Sequence, residues 1–103
     1  MKKFIRDGKV GVVVSPDYGA GWSTWNFDYR EELCMDSNIV QAVLNGDLEK
    51  AKDYVEETYP DAYTGRYSNL VVEWVPEGMQ FEIKEYDGHE TLCIIGHQTY
   101  MVA

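Results

Sequence analysis

The run Val10-Gly11-Val12-Val13-Val14-Ser15-Pro16-Asp17-Tyr18-Gly19-Ala20-Gly21-Trp22-Ser23-Thr24-Trp25-Asn26 reads as a strand that delivers a loop. In an extended chain Val10, Val12 and Val14 share one face, and Val13 lies on the other with Gly11 and Ser15. A strand apolar on both faces belongs inside its sheet. Pro16 has no N–H for a ladder and ends it. In the loop, Gly19 and Gly21 permit close approach to the backbone, so amides here are expected to face a ligand directly. Tyr18, Trp22 and Trp25 supply stacking area, while Ser23, Thr24 and the amides fix orientation, a mixture suited to a flat, polar small molecule. The competing reading is a turn whose tryptophans plug the core. Three rings beside two glycines favour an open cradle.

Outward from this stretch the pattern is regular. Upstream, Lys2 to Arg6 reads as a short strand, and Asp7-Gly8 is a two-residue hairpin turn. Downstream, Asp36-Ser37 offers an N-cap to a helix whose apolar face is Ile39, Val40, Val43 and Leu44, and Asn45-Gly46 stops it. Asp47 caps a second helix, with Leu48, Ala51 and Val55 at helical spacing, which Pro60 ends. Tyr63-Thr64-Gly65-Arg66-Tyr67 is a second polar-aromatic loop, expected to meet the first at one end of the sheet. Period-two patterning follows in Leu70–Val75 and Met79–Lys84, separated by Pro76-Glu77-Gly78. Asp87-Gly88 then turns the chain into Thr91–Ile95, and Gly96-His97 into a last segment at Thr99–Val102. The reading is one α+β domain over residues 1–103, a mostly antiparallel sheet with a two-helix insertion packed on one face.

Composition narrows the function. The total charge is −9; residues 1–9 carry Lys2, Lys3, Arg6 and Lys9 against Asp7, a net +3, which leaves −12 on the remainder. So acidic a chain is unsuited to nucleic acid, where Lys and Arg must neutralise phosphates. No stretch approaches the roughly 20 apolar residues needed to span a bilayer, and no apolar region follows Met1-Lys2-Lys3. The expectation is a cytoplasmic protein with no membrane partner. Cys34 and Cys93 lack neighbours at metal-ligand spacing and are expected to be free thiols.

No residue pattern calls for catalysis, a metal or a cofactor. His89 and His97 are expected in exposed turns, and Glu73, Glu82, Glu85 and Glu90 on a solvated sheet face. The Gly-Ala-Gly loop has neither a Gly-Lys-Ser/Thr ending nor a third glycine for a dinucleotide fingerprint. Arg66, beside the second loop, is a candidate for a phosphate or carboxylate, whereas Arg30, followed by Glu31 and Glu32, is expected in a surface ion pair. The candidate ligand site is therefore Tyr18, Gly19, Ala20, Gly21, Trp22, Ser23, Thr24, Trp25, Tyr63, Thr64 and Arg66.

The segment Val14-Ser15-Pro16-Asp17-Tyr18-Gly19-Ala20-Gly21-Trp22-Ser23-Thr24-Trp25, with Tyr63-Thr64-Gly65, Glu73-Trp74-Val75-Pro76-Glu77-Gly78 and Glu85-Tyr86-Asp87-Gly88, resembles a group of small phage and prophage proteins. The resemblance implies a phage or bacterial cytoplasmic protein. By analogy with small phage domains that sequester nucleotide-derived immune signals, the expected function is a non-catalytic sponge and not an enzyme. Its partner would be a nucleotide-like molecule of the cyclic ADP-ribose isomer or cyclic dinucleotide class, held by a homo-oligomer. The alternative is an acidic inhibitor that occupies a basic groove of a host nucleic-acid-binding or defence enzyme.

Overall fold

The computed structural model describes residues 1–94 and 101–103. The first hairpin forms as Asp7-Gly8 dictates, joining β1 (Ile5–Arg6) to β2 (Lys9–Val14) with both turn residues at positive φ. Strand β2 pairs on its other edge with β3 (Val71–Pro76), which makes it the central strand of an antiparallel sheet ordered β1-β2-β3. Its valines are fully buried on both faces. Val13 packs with Trp22, Leu33, Ile39, Val40, Ala51 and Val55, whereas Val10, Val12 and Val14 pack with Cys34, Met35, Val75, Phe81 and Met101. Burying each such valine stabilises by roughly 1.5–3 kcal/mol, so this strand anchors two cores at once.

Three helices follow the first loop. The first, α1 (Arg30–Met35), buries Leu33, Cys34 and Met35 and was not legible in the sequence as a helix. It leads into α2 (Ser37–Leu44), capped by Asp36, whose Oδ1 accepts from the Asn38 amide at 2.9 Å. Asp47 caps α3 (Leu48–Thr58) in the same way, accepting from the Lys50 amide at 3.2 Å. Helices α2 and α3 lie on the Val13 side of the sheet, whereas α1 gives Leu33 to that core and Cys34 and Met35 to the other; α2 and α3 are pinned to one another through Asp36. Its buried Oδ2 accepts from Tyr54 Oη at 2.8 Å and from Tyr59 Oη at 2.5 Å. Burial, and then the Asp36 carboxylate, push the Tyr59 phenol well above its usual pKa.

The later strands form a second antiparallel sheet, ordered β5-β4-β6, from β4 (Gln80–Tyr86), β5 (His89–Ile94) and β6 (Met101–Val102). The protein is thus α+β, with its strands divided between two sheets and not continued in one meander. Phe81 and Met101 close the Val10–Val12–Val14 side of the first sheet. The expected turn at Gly96-His97, and the parts of the neighbouring segments at Ile95 and Thr99-Tyr100, lie outside the described residues. No helix among the described residues is long and apolar enough to cross a membrane.

Candidate functional site

Two loops meet beside the β4–β5 hairpin. Asn26 joins them: its Nδ2 donates to Trp22 O at 2.8 Å and to Tyr63 O at 2.9 Å, and its Oδ1 accepts from the Tyr63 amide at 2.6 Å. The Trp25 and Tyr63 rings lie 5.6 Å apart, and Arg66 Nη2 donates to Tyr18 O at 2.7 Å. The expected meeting of the loops is therefore present in the structure.

What fills the cradle differs from the expectation. The carboxylate of Glu90, 2% exposed, enters the loop from the second sheet. Its Oε1 accepts from the Ser15 amide at 2.9 Å, and its Oε2 from the Trp22 amide at 2.7 Å, the Thr24 amide at 3.1 Å and Thr24 Oγ1 at 2.6 Å. Glu90 N donates in turn to Ser15 O at 2.9 Å. The amides expected to receive a ligand already hold an internal anion, the role that backbone concavities of this kind perform for phosphates elsewhere. The Gly21 backbone is packed against Thr24, Trp25 and the Glu90 carboxylate, while Arg66 covers Gly19. Close approach is indeed why glycine stands there, but the approaching groups belong to the protein.

The side chains separate accordingly. Trp22 is fully buried in the helical core, and its Nε1 donates to Leu33 O at 2.8 Å, so it is a core ring and not part of an open cradle. Ala20 and Ser23 are buried, and Thr64 turns inward to donate to Glu56 Oε2 at 3.2 Å. Tyr18, Trp25 and Tyr63 do reach solvent, Trp25 being 44% exposed. Tyr18 stacks on His89, ring centroids 4.9 Å apart. His89, expected in an exposed turn, is half-buried at the start of β5, with Nδ1 against the carbonyl of Pro16. A carbonyl can only accept, so that nitrogen carries the proton.

One residue the sequence did not single out dominates the open surface. Phe27 is 71% exposed, in a 3₁₀ turn directly after the loop. The Arg30 guanidinium lies 4.9 Å from its ring centre and not in an ion pair with Glu31 or Glu32. Phe27 and Arg30 border a cavity of ≈ 240 Å³ whose described lining also includes Ser23, Thr24, Ile83, Glu85 and Met101. The only sequence signal for Phe27 was an aromatic residue outside any apolar period. Trp74 lies away from this cavity's described lining and packs on Phe4 and Arg6.

Chemistry at this end is restrained. Cys34 and Cys93 are free thiols. Burial pushes the Cys34 thiol up to about 12, so it carries no thiolate near neutrality; its Sγ lies 3.4 Å from Ser23 Oγ. No group of three or more His, Cys, Asp or Glu among the described residues is arranged to hold a metal. Comparison with known proteins finds no matching family model, no matching curated protein and no matching solved structure.

Proposed function

We propose that the protein is a non-catalytic binding module that sequesters a nucleotide-like small molecule at the Phe27–Arg30 cavity. The observation that carries this reading is an exposed ring and a guanidinium side by side at the mouth of a cavity with apolar walls at Ile83 and Met101. A flat heterocycle enters between those walls and stacks on Phe27, while its phosphate meets Arg30. Trp25, with Tyr63 against it, borders a neighbouring hollow that shares Phe27 and offers further ring surface there. Glu90 keeps the rim in place without touching the ligand. Sequestration requires only tight, stoichiometric binding, consistent with a thiol held protonated and a histidine whose Nδ1 proton is engaged by a backbone carbonyl.

Within this proposal the module works in the cytoplasm of a bacterial host as an anti-defence sponge for a cyclic ADP-ribose isomer or a cyclic dinucleotide, a reading supported by the resemblance of its loop segment to small phage proteins. A second copy covering Phe27 completes the proposal as a homo-oligomer. Titration calorimetry with cyclic nucleotides, ADP-ribose derivatives and mononucleotides tests it. Saturable heat with one class supports the reading, and no heat with any removes it.

A second reading is an acidic surface that docks on a basic protein groove. It is favoured by the hollow on the other side of Phe27, lined by Asp28, Glu31 and Glu32 as well as Arg30. Binding of a fluorescent arginine-rich peptide that weakens steeply with salt supports this reading, and no binding at low salt removes it.

A further inference from the structure

Resting on the nucleotide reading above, we infer that the base selected by the cavity is guanine, or a heterocycle with the same two adjacent N–H donors, and that Glu85 is the residue that selects it. The cavity of ≈ 240 Å³ lies below the roughly 300–1,000 Å³ of pockets that engulf a whole drug-sized ligand. It takes one ring system, leaving sugar and phosphate outside beside Arg30. Selectivity then rests on the polar groups that line the cavity and meet the edge of that ring.

Apart from the Arg30 guanidinium at the mouth, those groups form a wall of acceptors. Glu85 Oε2 accepts from the Gly88 amide at 2.7 Å, which fixes the carboxylate within its hairpin, yet the side chain remains exposed and both oxygens keep lone pairs for a ligand. Directly across the strand pair lies Glu90. Its carboxylate is already saturated by Ser15, Trp22 and Thr24, but its charge adds to that of Glu85. The hydroxyls do not reverse this polarity. Thr24 Oγ1 has given its proton to Glu90 as a hydrogen bond, and Ser23, whose Oγ accepts from Cys34, is 1% exposed, too buried for its own O–H to meet a base edge. A base edge presenting lone pairs to this wall is repelled, and one presenting N–H groups is held.

The bases differ on this point. Guanine carries a ring N–H and an exocyclic NH₂ side by side, spaced to meet the two oxygens of one carboxylate. Adenine and cytosine set a ring-nitrogen lone pair beside a single amine, and uracil flanks its one N–H with two carbonyl oxygens. Only guanine of the four gives the carboxylate two donors without an opposed lone pair. A guanine-bearing cyclic dinucleotide therefore fits the cavity, whereas a cyclic ADP-ribose isomer, whose base is adenine, does not.

Calorimetry on the full chain with guanosine, adenosine, cytidine and uridine 5′-monophosphates tests this, alongside a Glu85→Gln variant. The amide oxygen of glutamine still accepts from Gly88, so the hairpin is kept. The guanine nucleotide should bind about tenfold or more tighter than the other three, the scale of one bidentate base contact, and Glu85→Gln should bring the four within a factor of about three. Equal binding of the adenine and guanine nucleotides, or a guanine preference that survives Glu85→Gln, overturns the assignment while leaving the nucleotide reading intact. Failure of all four to bind overturns the assignment, and the nucleotide reading falls with it only when the cyclic nucleotides and ADP-ribose derivatives also give no heat.

Discussion

The inner and outer halves of one loop are built from the same kinds of residue and have opposite fates. Ser15, Trp22 and Thr24 turn their backbone amides inward on a buried carboxylate, and the Trp22 ring is sealed in the core. Trp25 and Phe27, a few residues on, stand in solvent, Phe27 at the mouth of a cavity. The difference arises from Glu90. A carboxylate removed from water must find donors, and it takes those of the glycine-rich backbone that would otherwise be open to an external anion. The inner half is thereby a rigid mount, and any ligand is left to the outer half.

The largest effect should come from removing that carboxylate. Glu90→Ala leaves three backbone amides and a hydroxyl without their acceptor, and urea denaturation should show a loss on the order of 3–5 kcal/mol. A loss below about 1 kcal/mol would mean that water replaces the carboxylate easily and that the inner half is no mount. Next in size is Gly88→Ala. Gly88 sits at φ +88° with its α-carbon against the backbone of Ala20, so a methyl group there must push the hairpin off the loop. The expected cost is about 1–3 kcal/mol, with a loosened Tyr18–His89 stack visible in the ring-proton shifts.

The buried thiol sharpens the contrast by pH. Cys34 is held at about 12 in the folded chain against an ordinary value of 9.0, so only the unfolded chain releases its proton between those values. This group's contribution is therefore full below about pH 9 and falls as the pH rises towards 12, by at most about 1.4 kcal/mol per pH unit. Cys34→Ser should flatten that part of the stability profile, and in the folded wild type a thiol reagent should modify Cys93 ahead of Cys34. The smallest change in stability belongs to the rim. Trp25→Ala and Phe27→Ala should each move stability by no more than about 0.5 kcal/mol. Phe27→Ala should nonetheless weaken nucleotide binding about tenfold, as loss of one stacking ring does.

The elements most legible in the sequence are those set by local chemistry. Asp7-Gly8 and Asp87-Gly88 placed two hairpins, Asp36 and Asp47 capped two helices, and the valines of β2 declared a strand covered on both faces. Helix α1 was hidden because its six residues are too short for an apolar period to emerge after a polar Arg-Glu-Glu start. The division into two sheets was hidden for another reason. Alternation along a strand gives its faces but not its neighbours, and β3 and β4 are separated by a turn that reads equally well as a meander. Glu90 was the costliest omission for the site. On its own strand it looks like any solvated carboxylate, and only the docking of β5 against a loop 75 residues earlier in the chain turns it inward.

The central claim is that the inner amides are held by Glu90 and that ligand contact is confined to the rim. The most direct test is amide NMR of the ¹⁵N-labelled protein while guanosine monophosphate is added. The account predicts that the Ser15 and Trp22 amides are protected from exchange and stay in place, while the Phe27 and Arg30 resonances shift saturably. Rapid exchange at Ser15 and Trp22, with those two amides moving most as the nucleotide is added, would contradict it.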